Sequence, residues 1–257
     1  MNTACLTNSD ARQNQLLAAL PDAEWRRWQP HLEPVELELG QVLSESGRSA
    51  SYVYFPTTAI VSLLYLTQDG ASSEIAVVGN DGVVGISLFM GGDATPNQAV
   101  VQSAGLGYRL RAQAVKTEVD LAGPVLRMFL RYTQALIAQV AQTAACNRYH
   151  TIDQQLCRRL LLGLDRLQSN DMVMTQELVA NLLGVRREGV TAAALKLRTA
   201  GVIGYSRGHI NILDRQSLEH RTCECYASAK KEYHRLVPMP MPMAMPKAMP
   251  MPMPMAA

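Results

Sequence analysis

Two rhythms of hydrophobic and polar positions run along the chain. From Val35 to about Leu110, short segments such as VELEL, SYVYF and AIVSLLYLT alternate or are rich in β-branched and aromatic residues. QDG, GND and GGD punctuate them, and Gly79, Gly82 and Gly85 fall where turn glycines are expected. Strands at this spacing, with no helices between them, predict an antiparallel barrel or jelly roll. Elsewhere the period is helical. Residues 12–32 predict two short helices, with Leu16, Leu17 and Leu20 in the first and Trp25 and Trp28 on one face of the second. A helical pattern returns at about Ala112–Val119, and Gly123-Pro124 then starts a longer helix with Pro in its first turn. In that helix Val125, Phe129, Tyr132, Leu136 and Val140 recur at helical spacing as one apolar stripe. The stripe is read as a dimer seam, because a helix between two domains has little else to cover; packing on its own domain is the alternative.

The most specific pattern spans Gln176 to Leu195, QELVANLLGVRREGVTAAAL. Its fifth residue is Ala180, its ninth Gly184 and its fifteenth Val190, with Val179, Leu183, Val185 and Ala193 as further apolar positions. This is the pattern of a helix-turn-helix. Small Ala180 lets two helices approach, Gly184 carries the sharp turn, and the apolar set joins the helices. The second helix should begin near Arg186, run to about residue 199, and present Arg187, Glu188 and Thr191 at its N-terminal end. Arginine can pair bidentately with guanine in a major groove, and Glu can accept from cytosine N4. Thr175 should cap the first helix, beside Gln176, with Glu177 favouring its dipole. A preceding helix is expected over about Thr151–Leu167, carrying Ile152, Leu156, Leu160 and Leu164, and MVM after it reads as a short strand. After Ala200-Gly201, VIGYSRGHINIL reads as a hairpin wing in which Arg207 and His209 touch phosphate or stand as solvated loop residues. One last helix is expected over Asp214–Leu236.

Charge supports this division. Residues 1–149 carry 10 Lys+Arg against 13 Asp+Glu, a net of −3, whereas residues 150–237 carry 13 against 9, a net of +4. The basic half holds the helix-turn-helix, so Lys196 and its neighbours face phosphate by expectation. No run approaches eighteen uninterrupted apolar residues and no basic-then-apolar leader opens the chain, so a cytoplasmic protein with no membrane partner is expected. Five scattered cysteines suit reduced thiols. The Cys223-x-Cys225 pair has no second pair or His at zinc spacing, so no metal site is expected there. From Pro238 the tail alternates seven prolines with eight methionines before Ala256-Ala257, which precludes a helix or a core. Methionine thioethers bind Cu(I), but without Cys or His among them the tail is read as an inert extension.

A jelly-roll-like domain, a long apolar-striped helix and a winged helix-turn-helix, in that order, resemble the CRP/FNR family of bacterial transcription regulators. The resemblance covers about residues 20–235 and rests on TQELVANLLGVRREGVTAAALKLRTAGVI and on GNDGVVGISLF with its flanking strands. It implies an α+β fold: a sensor-type antiparallel β jelly roll with N-terminal helices over 1–120, a dimerisation helix over 121–149 and a winged helix-turn-helix over 150–237; the Met/Pro composition makes 238–257 a tail expected to be disordered or locally polyproline II. It implies a homodimer on a two-fold-related operator in double-stranded DNA, with a signal sensed in the barrel. Arg187 and Glu188 match the family's base-reading pair, and Thr175 its phosphate contact. Where the cyclic-AMP-responsive members carry a further Arg, this chain has Ala192, for which Arg186 is the candidate substitute. RNA polymerase is an expected partner of such a regulator, although no feature of the sequence marks the contact patch.

The effector pocket departs from the family pattern. The Gly-Glu and Arg-Ser pairs that hold a cyclic nucleotide are replaced by Gly85-Ile86-Ser87 and Asn97-Gln98, and Ser49 to Tyr108 contains no Lys or Arg. A buried phosphate would lack a cationic partner, so cyclic AMP binding is expected to be weak or absent; the domain is read as binding an unidentified apolar or anionic small-molecule effector, or as only holding the dimer together. An iron-sulfur cluster wants four thiolates and the N-terminus offers only Cys5. For haem, His31 lies before the barrel, and His150 is read as a surface or capping residue. No cofactor is therefore expected. The alternative function is a ligand-sensing module whose winged helix docks a protein. An enzyme is not expected, since HExxH, GxSxG and Gly-rich phosphate loops are absent.

Overall fold

Alternation along residues 33–111 produces two antiparallel sheets whose apolar faces meet. The computed structural model describes residues 10–167, 169–206 and 208–237. A 3-10 turn at Asp10–Gln13 leads into α1 (Gln15–Ala18) and α2 (Asp22–Trp28), which close one end of the sheets. Buried Asn14 caps α1, accepting from the amides of Leu16 and Leu17, and its Nδ2 donates to the carbonyls of Pro56 (2.9 Å) and Gly82 (2.8 Å). One side chain thus satisfies a helix start and two loop carbonyls at once.

The strands are β1 (Glu33–Leu37), β2 (Val42–Ser44), β3 (Tyr52–Pro56), β4 (Ile60–Leu66), β5 (Ser72–Val78), β6 (Asn97–Ser103) and β7 (Gly105–Arg111). They form sheets of order β1-β7-β3 and β2-β6-β4-β5, antiparallel throughout, which is the expected jelly-roll-like architecture. Between β5 and β6 the chain inserts a short helix, α3 (Ser87–Met90), between Gly85 (φ +104°) and Gly91 (φ +83°). Four helical residues carry no readable period, and the sequence showed only the turn glycines.

After α4 (Ala112–Asp120) comes α5 (Pro124–Tyr149), 26 residues long. Its stripe is placed differently from the expectation. Val125, Phe129, Tyr132 and Leu136 are buried in the chain's own core with Trp28, Phe55, Phe89 and Leu110, and Val140 packs half-buried against the same core. Phe129 stacks on Phe89 at 4.2 Å and tilts against Trp28 at 5.7 Å. These five residues face the barrel, so they are not available as a dimer seam. The physical reason is that α5 is apolar on two faces and the wider one seals the barrel. The face turned to solvent carries Leu130 (52% exposed) and Ile137 (59% exposed), with Ala141 and Ala144.

The basic half begins with α6 (Ile152–Leu164), started by a Thr151/Gln154 capping box. It continues through β8 (Asp171–Val173), α7 (Gln176–Leu183), α8 (Arg187–Thr199), β9 (Ile203–Ser206) and β10 (His209–Ile212), the three strands forming a sheet of order β8-β10-β9. The expected last helix is two, α9 (Arg215–Arg221) and α10 (Cys225–Leu236), because the backbone turns extended at Thr222. α10 then runs back antiparallel along α5: Cys225 lies in one buried cluster with Cys146, and Arg131 Nη2 donates to the Arg235 carbonyl at 3.3 Å. Leu236 and Val237 end in the barrel core.

Two charged contacts dock α6 and the turn that follows it on the barrel. Buried Arg159 pairs with Glu74 at 2.5 Å, and Glu74 also accepts from Ser62 at 2.5 Å. Arg166 grips Asp81 through both Nη2 (2.6 Å) and Nε (3.0 Å). Bidentate geometry and an added hydroxyl are what allow such charges to leave water. Among the described residues no helix is long and apolar enough to cross a membrane.

Candidate nucleic-acid interface

The paired helices α7 and α8 form because each has one apolar side and the joint has the one residue that can bend there. Val179, Ala180, Leu183, Val190 and Ala193 are buried together, and Val185 packs half-buried against them. Gly184 takes φ +65°, ψ +35°, a left-handed conformation that costs a residue with a Cβ about 1–2 kcal/mol. Thr175 caps α7 by accepting from the Leu178 amide at 3.1 Å, with Glu177 in the first turn, as expected.

The opposite side of α8 carries the candidate contacts. Arg187, Glu188 and Thr191 are exposed on its first turns, and Arg186 is its exposed N-cap residue. Thr191 Oγ1 donates to Gln176 Oε1 at 2.7 Å, joining the start of α7 to α8 and bringing Thr175 and Gln176 to the same surface. Two arginines at the positive end of a helix dipole are unfavourably placed unless an anion comes to meet them. Neither Arg186 nor Arg187 pairs with a carboxylate among the described residues.

The other candidates lie apart from this tip. Lys196 stands roughly 12 Å further along the helix axis than Glu188 and pairs with exposed Asp153 of α6 at 2.8 Å. His209 sits on the wing, where Nδ1 meets Asp171 of β8 at 2.9 Å, a partner that sequence order did not reveal. Arg207 lies outside the described residues.

All five candidate effector residues line one cavity. Gly85, Ile86, Ser87, Asn97 and Gln98 surround a space of about 260 Å³ inside the barrel. Leu136, Ile137 and Val140 of α5 form its outer wall. Leu63, Ile75, Val83 and Val84 make much of the rest apolar, and among the described residues no Lys or Arg lines it. Gln98 Nε2 donates to the Glu45 carboxylate at 2.8 Å, so this lining amide already has an acidic partner. An uncharged, largely apolar molecule suits these walls; a phosphate does not.

A second group was hidden in the sequence. Cys223-x-Cys225 does have a His nearby: Cys146 and His150, from the end of α5, complete a set of four whose donor atoms all lie within 4.8 Å of one another. The Cys146 and Cys223 sulfurs are 3.6 Å apart, and Cys225 Sγ is 3.4 Å from His150 Nδ1. Burial pushes the Cys146 thiol up to about 12 and raises that of Cys225. The clue available in the sequence was Cys146 and His150 four residues apart on one helix face.

Comparison with known proteins bears on the domain and the fold. Residues 154–221 match the Crp-like helix-turn-helix domain. No curated protein matches the chain by sequence. Among solved structures, FixK2 from Bradyrhizobium japonicum is similar with a TM-score of 0.62 at 18% identity, over 75% of this chain and 98% of that one. TTHB099, a CRP-family transcriptional regulator from Thermus thermophilus, gives 0.60 at 20% identity over 73% and 95%. TTHA1359, a CRP/FNR-family regulator from the same organism, gives 0.59 at 18% over 76% and 98%. At such identities the likeness is one of fold.

Proposed function

We propose, from the match of residues 154–221 to the Crp-like helix-turn-helix domain and from a fold similar to that of CRP/FNR regulators, that this protein is a sequence-specific DNA-binding transcription regulator. The observation that carries the reading is the exposed Arg186-Arg187-Glu188 tip of α8, without an ion-pair partner among the described residues and held out by a helix whose other side is buried. Arg187 and Glu188 read base edges, Thr175 and Gln176 anchor the start of α7 to the backbone, and Lys196, with the wing residues Arg207 and His209, meets phosphate. Protein docking is less well supported, since this tip is charged where a groove-binding helix is apolar. We divide the chain into a sensor barrel over 1–120, a connecting helix over 121–149 and a DNA-binding domain over 150–237.

A second copy covers the outer face of α5. Leu130, Ile137, Ala141 and Ala144 recur at intervals of seven, four and three, the spacing of a two-helix seam. Pairing through it places two recognition helices about one helical turn (~34 Å) apart on a two-fold-related operator. Ile137 lies both on this face and in the cavity wall, so an apolar effector in the barrel touches the element that sets the dimer. Calorimetric titration with cyclic AMP should give no binding heat at millimolar nucleotide. Binding there at micromolar affinity would overturn the assignment of the pocket.

Arg187→Ala tests the reading head. It should cost about 1–3 kcal/mol on the preferred duplex, roughly 5- to 150-fold in affinity, and much less on scrambled DNA. Fluorescence anisotropy at fixed salt measures both. Equal losses on the two duplexes would remove Arg187 from base reading. Lys196→Ala should instead weaken both duplexes alike and flatten the salt dependence by about one contact.

A further inference from the structure

We propose that Cys146, His150, Cys223 and Cys225 form a tetrahedral Cys3His site for a zinc ion, which ties the end of α5 to the junction of α9 and α10. The two halves of the set come from chain segments 77 residues apart. Cys146 is in the last turn of α5 and His150 is its C-terminal cap, a spacing of four that sets both on one face. The other two flank Glu224 where the chain leaves α9, in an extended conformation at Thr222, and enters α10. That break turns both sulfurs toward α5.

The spacings fit a metal at the centre. With Zn–S near 2.3 Å and Zn–N near 2.0–2.1 Å, a regular tetrahedron has S···S edges of about 3.8 Å and S···N edges of about 3.6 Å. Here Cys146–Cys223 is 3.6 Å and Cys225–His150 is 3.4 Å, and every pair among the four donor atoms lies within 4.8 Å, close enough for a metal to draw them onto these edges. Three buried cysteines alone could be small apolar packing, which is a common use of the residue. The histidine separates the two cases. Its side chain is only 17% exposed, Nδ1 is turned toward the Cys225 sulfur, and Nε2 lies 3.3 Å from the Glu224 carboxylate. A carboxylate on the far ring nitrogen is how metal-bound histidines are oriented. Gln155 Nε2 fixes the backbone below it, donating to the His150 carbonyl at 2.9 Å.

Three thiolates and a neutral imidazole would leave the zinc complex with one negative charge, and buried Arg158 acts electrostatically on the Cys146 sulfur. Four protein ligands leave no open position, so the site is structural and not catalytic. Its position gives it a role. The residues that follow the wing return through this cluster to α10, which lies along α5 and ends in the barrel core. A bound zinc would fix the DNA-binding half against α5, and its loss would free that joint. The site itself does not depend on what α8 binds.

The test is metal analysis of the untagged full chain, purified under reducing conditions from zinc-supplemented cells. About one zinc per chain is expected, falling at least tenfold in Cys223→Ser and Cys225→Ser and unchanged in Cys157→Ser, a buried cysteine outside the group. Should a serine variant not fold, reconstitution of the metal-stripped wild-type chain with Co(II) gives an independent reading: the intense visible bands of tetrahedral thiolate coordination should appear, and added zinc should displace them. A reduced, folded wild-type chain that carries no zinc and gives no tetrahedral Co(II) spectrum would overturn the proposal. So would a Cys146–Cys223 disulfide found by mass spectrometry in chain taken from cells lysed with a thiol-blocking reagent and no reductant, since that bond uses up two of the four ligands.

Discussion

Ile137→Glu should yield a folded monomer whose operator affinity is lower by about two to four orders of magnitude. The size follows from linkage: in a dimer the second half-site is bound at the high effective concentration set by the first, an advantage worth roughly 10²–10⁴ and lost when the copies separate. Ile137 is 59% exposed on α5, so a carboxylate there stays in water in the single chain. In the dimer two such carboxylates would meet across the two-fold axis in an apolar seam, where like charges are strongly disfavoured. Sedimentation velocity reads the oligomer and anisotropy reads DNA binding. Leu130→Glu, two turns earlier on the same face, should behave alike. A variant that remains a dimer with unchanged affinity would place the contact between copies elsewhere.

Phe129→Ala should lower the stability of the chain by about 3–5 kcal/mol, the usual cost of emptying a large aromatic from a packed core. Phe129 is fully buried, stacked on Phe89 at 4.2 Å and set against Trp28 at 5.7 Å, so three elements lose contacts together. Few neighbours there can relax into the gap, since Val115, Val125 and Leu110 are themselves fully buried. Urea unfolding followed by tryptophan fluorescence gives the value, with Trp28 as a local reporter. The contrast with Ile137→Glu separates the two faces of α5. If Phe129→Ala left monomer stability intact and dissociated the dimer, the inner stripe would be the seam after all.

The helix-turn-helix could be read in the sequence because its determinants are local. Ala180, Gly184 and Val190 stand within eleven residues, and the cap at Thr175, the turn at Gly184 and the wing hairpin each depend on immediate neighbours. The barrel could be read for the same reason, strand by strand. The two faces of α5 could not be told apart. Val125-Phe129-Tyr132-Leu136 and Leu130-Ile137-Ala141 both have helical spacing, and a period shows that a face is covered without showing by what. The cysteine group was hidden because its halves meet only through the return of α10 along α5. Nor was the break at Thr222 read, since neither Gly nor Pro marks it and the helical pattern resumes at Cys225. The pocket residues were found by resemblance, and the acidic partner of Gln98 came only from the fold.

Selection of bound sites from random duplex DNA by the full-length protein, in parallel with Arg187→Ala, is the measurement to make first. A DNA-reading dimer should recover a two-fold-symmetric site, with half-sites about one helical turn (~34 Å) apart and a guanine whose enrichment disappears in the Arg187→Ala pool. Recovery of no shared motif, with binding that depends on salt but not on sequence, would contradict it and leave the winged helix as a surface for some other partner.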